Sequence, residues 1–153
     1  MRRSHFLKIT CILMMLSSLV RFFFGLMMLN TYTTASTFGA IAPSQLSMAV
    51  VTMLVHMACA LSELVGGFIG ALHWEEPLLS HKCVRWGIAA LSFGLIGNLL
   101  QHVIEYDVSY VAWITGAGVP GLFLCASIIF WYFGKYKYKD IHNLGIKTRN
   151  TGR

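Results

Sequence analysis

The chain has 153 residues, 56% of them hydrophobic and only 12% charged, with a formal net charge of +6. That length leaves no room for more than one ordinary domain, and that composition marks a membrane protein rather than a water-soluble one. The positive charge calls for no nucleic acid, because short basic loops retained at the cytoplasmic face and attraction to anionic lipids account for it.

Four continuously apolar stretches, residues 9–29, 46–72, 84–104 and 111–133, follow one another along the chain. Each reaches the roughly 20 residues that a helix needs to cross about 30 Å of hydrocarbon. Their apolar character is unbroken rather than alternating with period two, so helices are expected and not a barrel. Arg2, Arg3 and Lys8 precede the first stretch, which also invites comparison with a secretory signal peptide. The run is longer than a usual signal core and Arg21 interrupts it, so it is read as a span. Residues 30–45 carry no charge and end in Pro43-Ser44, a helix start signal. This loop can lie across the mouth of the bundle.

After the second stretch, Trp74, Glu75, Glu76 and Pro77 read as an interface aromatic and a turn, followed by the basic Lys82 and Arg85. The third stretch ends in a tight connection with Glu105 and Asp107. The fourth carries Gly116, Gly118, Pro120 and Gly121, which predict a kink, and gives way to a short basic tail, 134–153. With four spans every basic residue except Arg21 falls on one side. The expected fold is therefore an all-α integral membrane protein, one antiparallel four-transmembrane-helix bundle in the cytoplasmic (inner) membrane with both termini cytoplasmic.

Small residues predict how the helices meet, because helices in lipid approach closely where Gly, Ala and Ser share a face. Such stripes contain Gly25 in the first span, Gly66, Gly67 and Gly70 in the second, and Gly94 and Gly97 in the third. Polar residues share these faces, so they are expected to point inward. Cys11, Cys59, Cys83 and Cys125 form no C-x-x-C pair and are expected as free thiols, which weighs against a quinone-linked disulfide oxidase.

Arg21 and Glu63 carry the only permanent charges deep inside the four stretches, Arg85 standing at the very start of the third. A charge at such depth is costly and marks a candidate site. From a rise of about 1.5 Å per residue, Glu63 lies about 15 Å, Arg21 about 20 Å and His56 about 26 Å from the cytoplasmic ends of their spans. Helical side chains lean toward their own N-terminus, so on oppositely directed helices Arg21 and Glu63 converge, with His56 two turns from Glu63 on the same face. Asn98, Gln101 and His102 gather at the outer end of the third span. Together these residues are expected to form an intramembrane polar network, either a ligand pocket open to the outside or a purely structural lock.

Haem ligation by His56 and His102 is disfavoured, since their depths differ by about 13 Å whereas axial ligands face one iron. Met14, Met15, Met27, Met28, Met48, Met53 and Met57 are spread around the helices and read as apolar filling rather than a copper site. No metal site is expected. Neither a nucleophile with a matching base nor a phosphate loop is present, so catalysis by this chain alone is not supported.

Arg21-Phe-Phe-Phe-Gly25, together with Glu63-Leu-Val-Gly66-Gly67, resembles the DoxX-like membrane proteins over roughly residues 17–133. The loop after the first span lacks the Gly-Lys element of that family. The resemblance implies four spans and an accessory subunit associated with redox complexes and quinone or thiol metabolism, with Arg21 and Glu63 as the intramembrane polar pair. No cofactor is firmly implied, and quinone is the one candidate. The alternatives are a small proton- or cation-coupled transporter using Glu63, and a structural partner of a larger membrane complex. The lipid bilayer is the expected surrounding, with a homo-oligomer or larger complex left open.

Overall fold

The computed structural model describes residues 3–73, 80–105 and 110–150, all of them helical apart from the segment joining the first two helices and the residue ending the second. The expected turn at Trp74 to Pro77, the connection carrying Asp107, and the side chains of the basic tail lie outside the described residues. Helix α1 spans Arg3–Thr37, α2 Pro43–Leu72 and α3 Ser80–Glu105. A fourth rod is built from α4 (Tyr110–Trp113), a π-helical segment (Ile114–Gly118) and α5 (Val119–Asn150). Within these, His5–Thr37, Pro43–Leu72, His81–Ile104 and Tyr110–Gly134 are long and apolar enough to cross a membrane.

The uncharged loop expected over 30–45 is mostly helix. Threonine hydroxyls there return hydrogen bonds to the preceding turn, from Thr31 to the Met27 carbonyl (3.0 Å), Thr33 to Leu29 (2.8 Å) and Thr37 to Thr33 (2.8 Å). Satisfying their own polar groups locally lets these threonines prolong α1 beyond the apolar run. The chain then turns through Gly39, whose φ of 68° is the left-handed conformation glycine adopts without a Cβ clash. Pro43 opens α2, and the Ala42 N–H donates to Gln45 Oε1 at 3.1 Å. At the other end α5 continues through Asn150, so the backbone of residues 134–150 prolongs the fourth rod as helix.

The helices close a ring in which α1 packs on α2, α2 on α3, α3 on α5 and α5 on α1. Its interior is unlike a water-soluble core. The buried stripe of α1 runs Leu7, Thr10, Cys11, Met14, Ser17, Ser18, Arg21, Gly25 and Met28, and that of α3 runs Cys83, Gly87, Ala90, Gly94, Gly97, Asn98 and Gln101. Bulky apolar side chains face outward instead, with Phe23 64%, Leu61 63% and Leu99 58% exposed. Without water to expel, such helices gain from close backbone approach and interhelical hydrogen bonds, which small and polar residues permit.

The irregularity of the fourth rod has a covalent cause. Pro120 has no N–H to give the Gly116 carbonyl in the α-helical register. The Val119 N–H instead bonds Ile114, five residues back. The Thr115 carbonyl, which would have taken that N–H, accepts the Ser17 hydroxyl of α1 at 3.1 Å. Gly116 in turn presses its carbonyl on the bare Cα of Gly94, where any Cβ would collide with it.

Adding one methyl at Gly94 must therefore move backbone, while Gly121, with nothing within 4 Å of its absent Cβ, has space. Gly94→Ala is expected to cost about 1–3 kcal/mol, the range for overpacking. Gly121→Ala is expected at or above the parent. Thermal unfolding midpoints in one detergent compare the two, and equal values would remove this account of the contact.

Candidate functional site: a buried arginine shared by three helices

Arg21 stands in the middle of α1 with only 3% of its surface exposed. Its surroundings come from three other segments, made accessible by glycine. Gly116 leaves room for the guanidinium, because a Cβ there would overlap Arg21 Nη2, and the same Cβ would sit 2.9 Å from Asn98 Nδ2. Gly97 lets the His56 ring lie on α3, with Cε1 and Nδ1 each 3.0 Å from where a Cβ would be.

Arg21 Nη1 donates to His56 Nδ1 at 2.9 Å, and Nη2 donates to the Ala112 carbonyl at 3.0 Å. Glu63 approaches from α2, its Oε1 3.6 Å from Arg21 Nε, and is fully buried. This is an ion pair at longer range than a direct charge-assisted hydrogen bond. A guanidinium has donors and no acceptor, so His56 Nδ1 must supply the lone pair. The imidazole is accordingly neutral at that nitrogen, with its proton on Nε2.

Further groups complete the network. Asn98 Nδ2 donates to the same Ala112 carbonyl at 3.1 Å, so one backbone oxygen joins α1 and α3 to α4. The Cys59 thiol lies 3.3 Å from the Ala90 carbonyl and 3.5 Å from Glu63 Oε1. Gln101 is buried and within interaction range of His56, as the Ser17 hydroxyl is of Glu63. The structure thus brings together Arg21, His56, Glu63, Asn98 and Gln101. It does not bring in His102, which follows Gln101 by one residue and is exposed on the outer side of α3. Adjacent helical residues point about 100° apart, so the inward position of Gln101 turns His102 away.

The network is incompletely satisfied. Arg21 Nε, His56 Nε2, Glu63 Oε2 and Asn98 Oδ1 are buried with no hydrogen-bond partner among the described residues. Beside them a niche of about 10 Å³ is lined by Val20, Arg21, Phe24, His56, Val111, Ala112 and Thr115, which is room for about one water-sized group. Val20, Phe24 and Val111 are exposed, so the niche opens sideways between α1 and α4. The surface it presents is almost wholly apolar, with Arg21 and His56 among the residues around it.

Ala112, Ser17 and Cys59 act in the site without having been singled out for it by sequence. Ala112 contributes a carbonyl, and only the nearby glycines and Pro120 signalled that the backbone there would depart from regular helix. Among the described residues no three His, Cys, Asp or Glu side chains converge as a metal-binding group. The glycines expected at packing faces lie against neighbours: Gly25 faces Met57, Gly66 faces Trp86 and Met14, Gly67 faces the Cys11 carbonyl, and Gly70 faces Cys11 and Phe123. No family model, curated protein or solved structure matches the chain.

Removing one partner of a buried ion pair strands the other charge, at a cost of about 3–5 kcal/mol. Arg21→Leu and Glu63→Leu are each expected to lose stability on that scale, and the double variant to recover a large part of the loss. Arg21→Lys is expected to remain impaired, since an ammonium cannot span His56, Glu63 and Ala112 in the same plane. Unfolding of all four proteins in one detergent measures the coupling, and strictly additive losses would show that Arg21 and Glu63 act independently.

Proposed function

We propose that this chain is a multi-pass protein of the cytoplasmic membrane, its four spans antiparallel and both termini on the cytoplasmic side. It serves as an accessory, redox-associated subunit that holds the head of a lipid-soluble carbonyl compound of the quinone class. The basic residues at 2–8, 82–85 and 135–153 support the orientation, because short Lys- and Arg-rich segments are retained on the cytoplasmic side. The resemblance of Arg21 to Gly25 and Glu63 to Gly67 to DoxX-like proteins supports the redox association.

One observation carries the ligand class, namely the niche between α1 and α4 where Arg21 and His56 stand beside the apolar Val20, Phe24 and Val111. A quinone oxygen needs hydrogen-bond donors, and its ring and tail need apolar surroundings. A volume of about 10 Å³ admits an oxygen atom, not a ring, so the ring would lie between Val20, Phe24 and Val111 at the mouth. Binding from the lipid side needs no aqueous channel.

The purified protein is expected to retain a short-chain ubiquinone analogue in equilibrium dialysis against detergent micelles. His56→Leu removes one polar lining group, and about tenfold weaker binding is expected, the equivalent of one hydrogen bond of about 1.4 kcal/mol. Retention no greater than by empty micelles would end this reading.

A second reading is favoured by the buried Glu63, whose Oε2 has no hydrogen-bond partner among the described residues. Such a carboxylate suits a proton- or cation-coupled carrier. Cation-driven proton movement in proteoliposomes that is abolished by Glu63→Gln would favour that carrier over the quinone reading. Movement that survives the substitution would dismiss this mechanism.

A further inference from the structure

The hydroxyl of Ser17 stands between two acceptors. It donates to the Thr115 carbonyl at 3.1 Å, and it lies within interaction range of the Glu63 carboxylate. Both acceptors are short of donors. The α-helical donor for Thr115, the Val119 N–H, is taken by Ile114, and the π-helical donor would come from Pro120, which has none. Glu63 Oε2 is buried with no hydrogen-bond partner among the described residues. A serine hydroxyl has one proton to donate and two lone pairs to accept with, so Ser17 serves one of these oxygens as donor at a time.

Which oxygen wins depends on the proton of Glu63. An ionised carboxylate is a stronger acceptor than a neutral carbonyl, so it draws the Ser17 proton and leaves Thr115 unpaired. A protonated Glu63 instead donates its own O–H to Ser17 Oγ, and Ser17 keeps its bond to Thr115. The structure shows Ser17 on Thr115, with Glu63 held at longer range by Arg21, 3.6 Å away. The other ionisable groups packed on Glu63 are Arg21 from α1 and Cys59 from α2, with His56 beyond Arg21. Of the described inward residues of α3 and of the rod that follows it, only Cys83 can titrate, and it lies at the level of Gly70, about two turns away.

We infer that Ser17 is a positioning residue that couples the protonation of Glu63 to the wall of the niche, the π segment being held on α1 when Glu63 is protonated and released when it is ionised. Val111, Ala112 and Thr115 form that wall. Tyr110, Val111, Trp113 and Ile114 are exposed, so this stretch depends on the bonds that Ser17, Arg21 and Asn98 make to its carbonyls. A niche of about 10 Å³ admits a ring only when its wall gives. Release on ionisation therefore makes entry depend on the proton. What enters rests on the quinone reading above; the movement of the wall does not.

Hydrogen exchange of the full-length protein in detergent, followed by mass spectrometry of peptides covering residues 110–119, tests the coupling without any quinone. Labelling times are scaled to the intrinsic exchange rate at each pH. Scaled exchange in this stretch is expected to become about tenfold faster from acidic to alkaline buffer, the equivalent of one hydrogen bond, while peptides from α3 change little. In Glu63→Gln, which cannot ionise, the stretch is expected to stay protected at every pH. In Ser17→Ala it is expected to exchange fast at every pH, and Ser17→Thr, which keeps a hydroxyl, to restore the pH profile. No pH-dependent change in the parent, a measurement that needs no variant to fold, would overturn the proposal. So would a change shared equally by α3, or one that survives Glu63→Gln. Failure to retain the quinone analogue alters none of these results, so the two proposals fail separately.

Discussion

A guanidinium with 3% exposure in the middle of an apolar helix governs this structure. It cannot shed its proton, so the rest of the chain must supply acceptors or leave a charge in hydrocarbon. The supply comes from three directions: His56 Nδ1, the Ala112 carbonyl, and the Glu63 carboxylate at longer range. His56 and Glu63 draw α2 toward α1, and Ala112 draws α4. The ring of helices is thus held partly by the requirements of one cation, with Gly97 and Gly116 providing the space in which its partners approach.

Backbone and side chain exchange roles around this cation. The Val119 N–H is taken by Ile114, so Thr115 turns to Ser17 for a donor, and Ala112 uses its carbonyl for Arg21 and Asn98 together. A carbonyl oxygen has two lone pairs, which take the Arg21 and Asn98 donors, while the Thr115 hydroxyl adds a longer contact at 3.4 Å. The π segment is tolerated in an apolar environment because side chains on α1 and α3 meet the groups that irregular backbone presents. Pro120 is the covalent origin of the irregularity, and Arg21 and Ser17 are its complement.

Much of this was legible in the residues, and what was not has physical reasons. The four apolar runs and the meeting of Arg21 with Glu63 follow from bilayer thickness and from the lean of helical side chains, both insensitive to detail. The helical character of residues 30–37 was not legible, because threonine has low intrinsic helix preference and its back-bonding to the preceding turn depends on having a turn to bond to. His102 was grouped with Gln101 on proximity in sequence, although a single step along a helix turns a side chain to another face. Ala112 was invisible for a different reason: its contribution is a carbonyl that every residue has. Only the cause, a proline four residues beyond a glycine, was written in the sequence.

The distribution of satisfied and unsatisfied atoms separates a helix lock from a binding site. A network that served only to fix helix register would gain by closing every valence, since each buried polar atom without a partner costs about 1–3 kcal/mol. Here Arg21 Nε, His56 Nε2, Glu63 Oε2 and Asn98 Oδ1 are left open among the described residues, within one cluster and on three different helices. Arg21 and His56 also line the niche between α1 and α4. Two of these atoms are donors and two are acceptors, so unused capacity of both kinds is left in the cluster, and the two donors belong to residues that line the niche. That arrangement departs from a closed structural clasp, in which donors and acceptors would be paired off within the bundle.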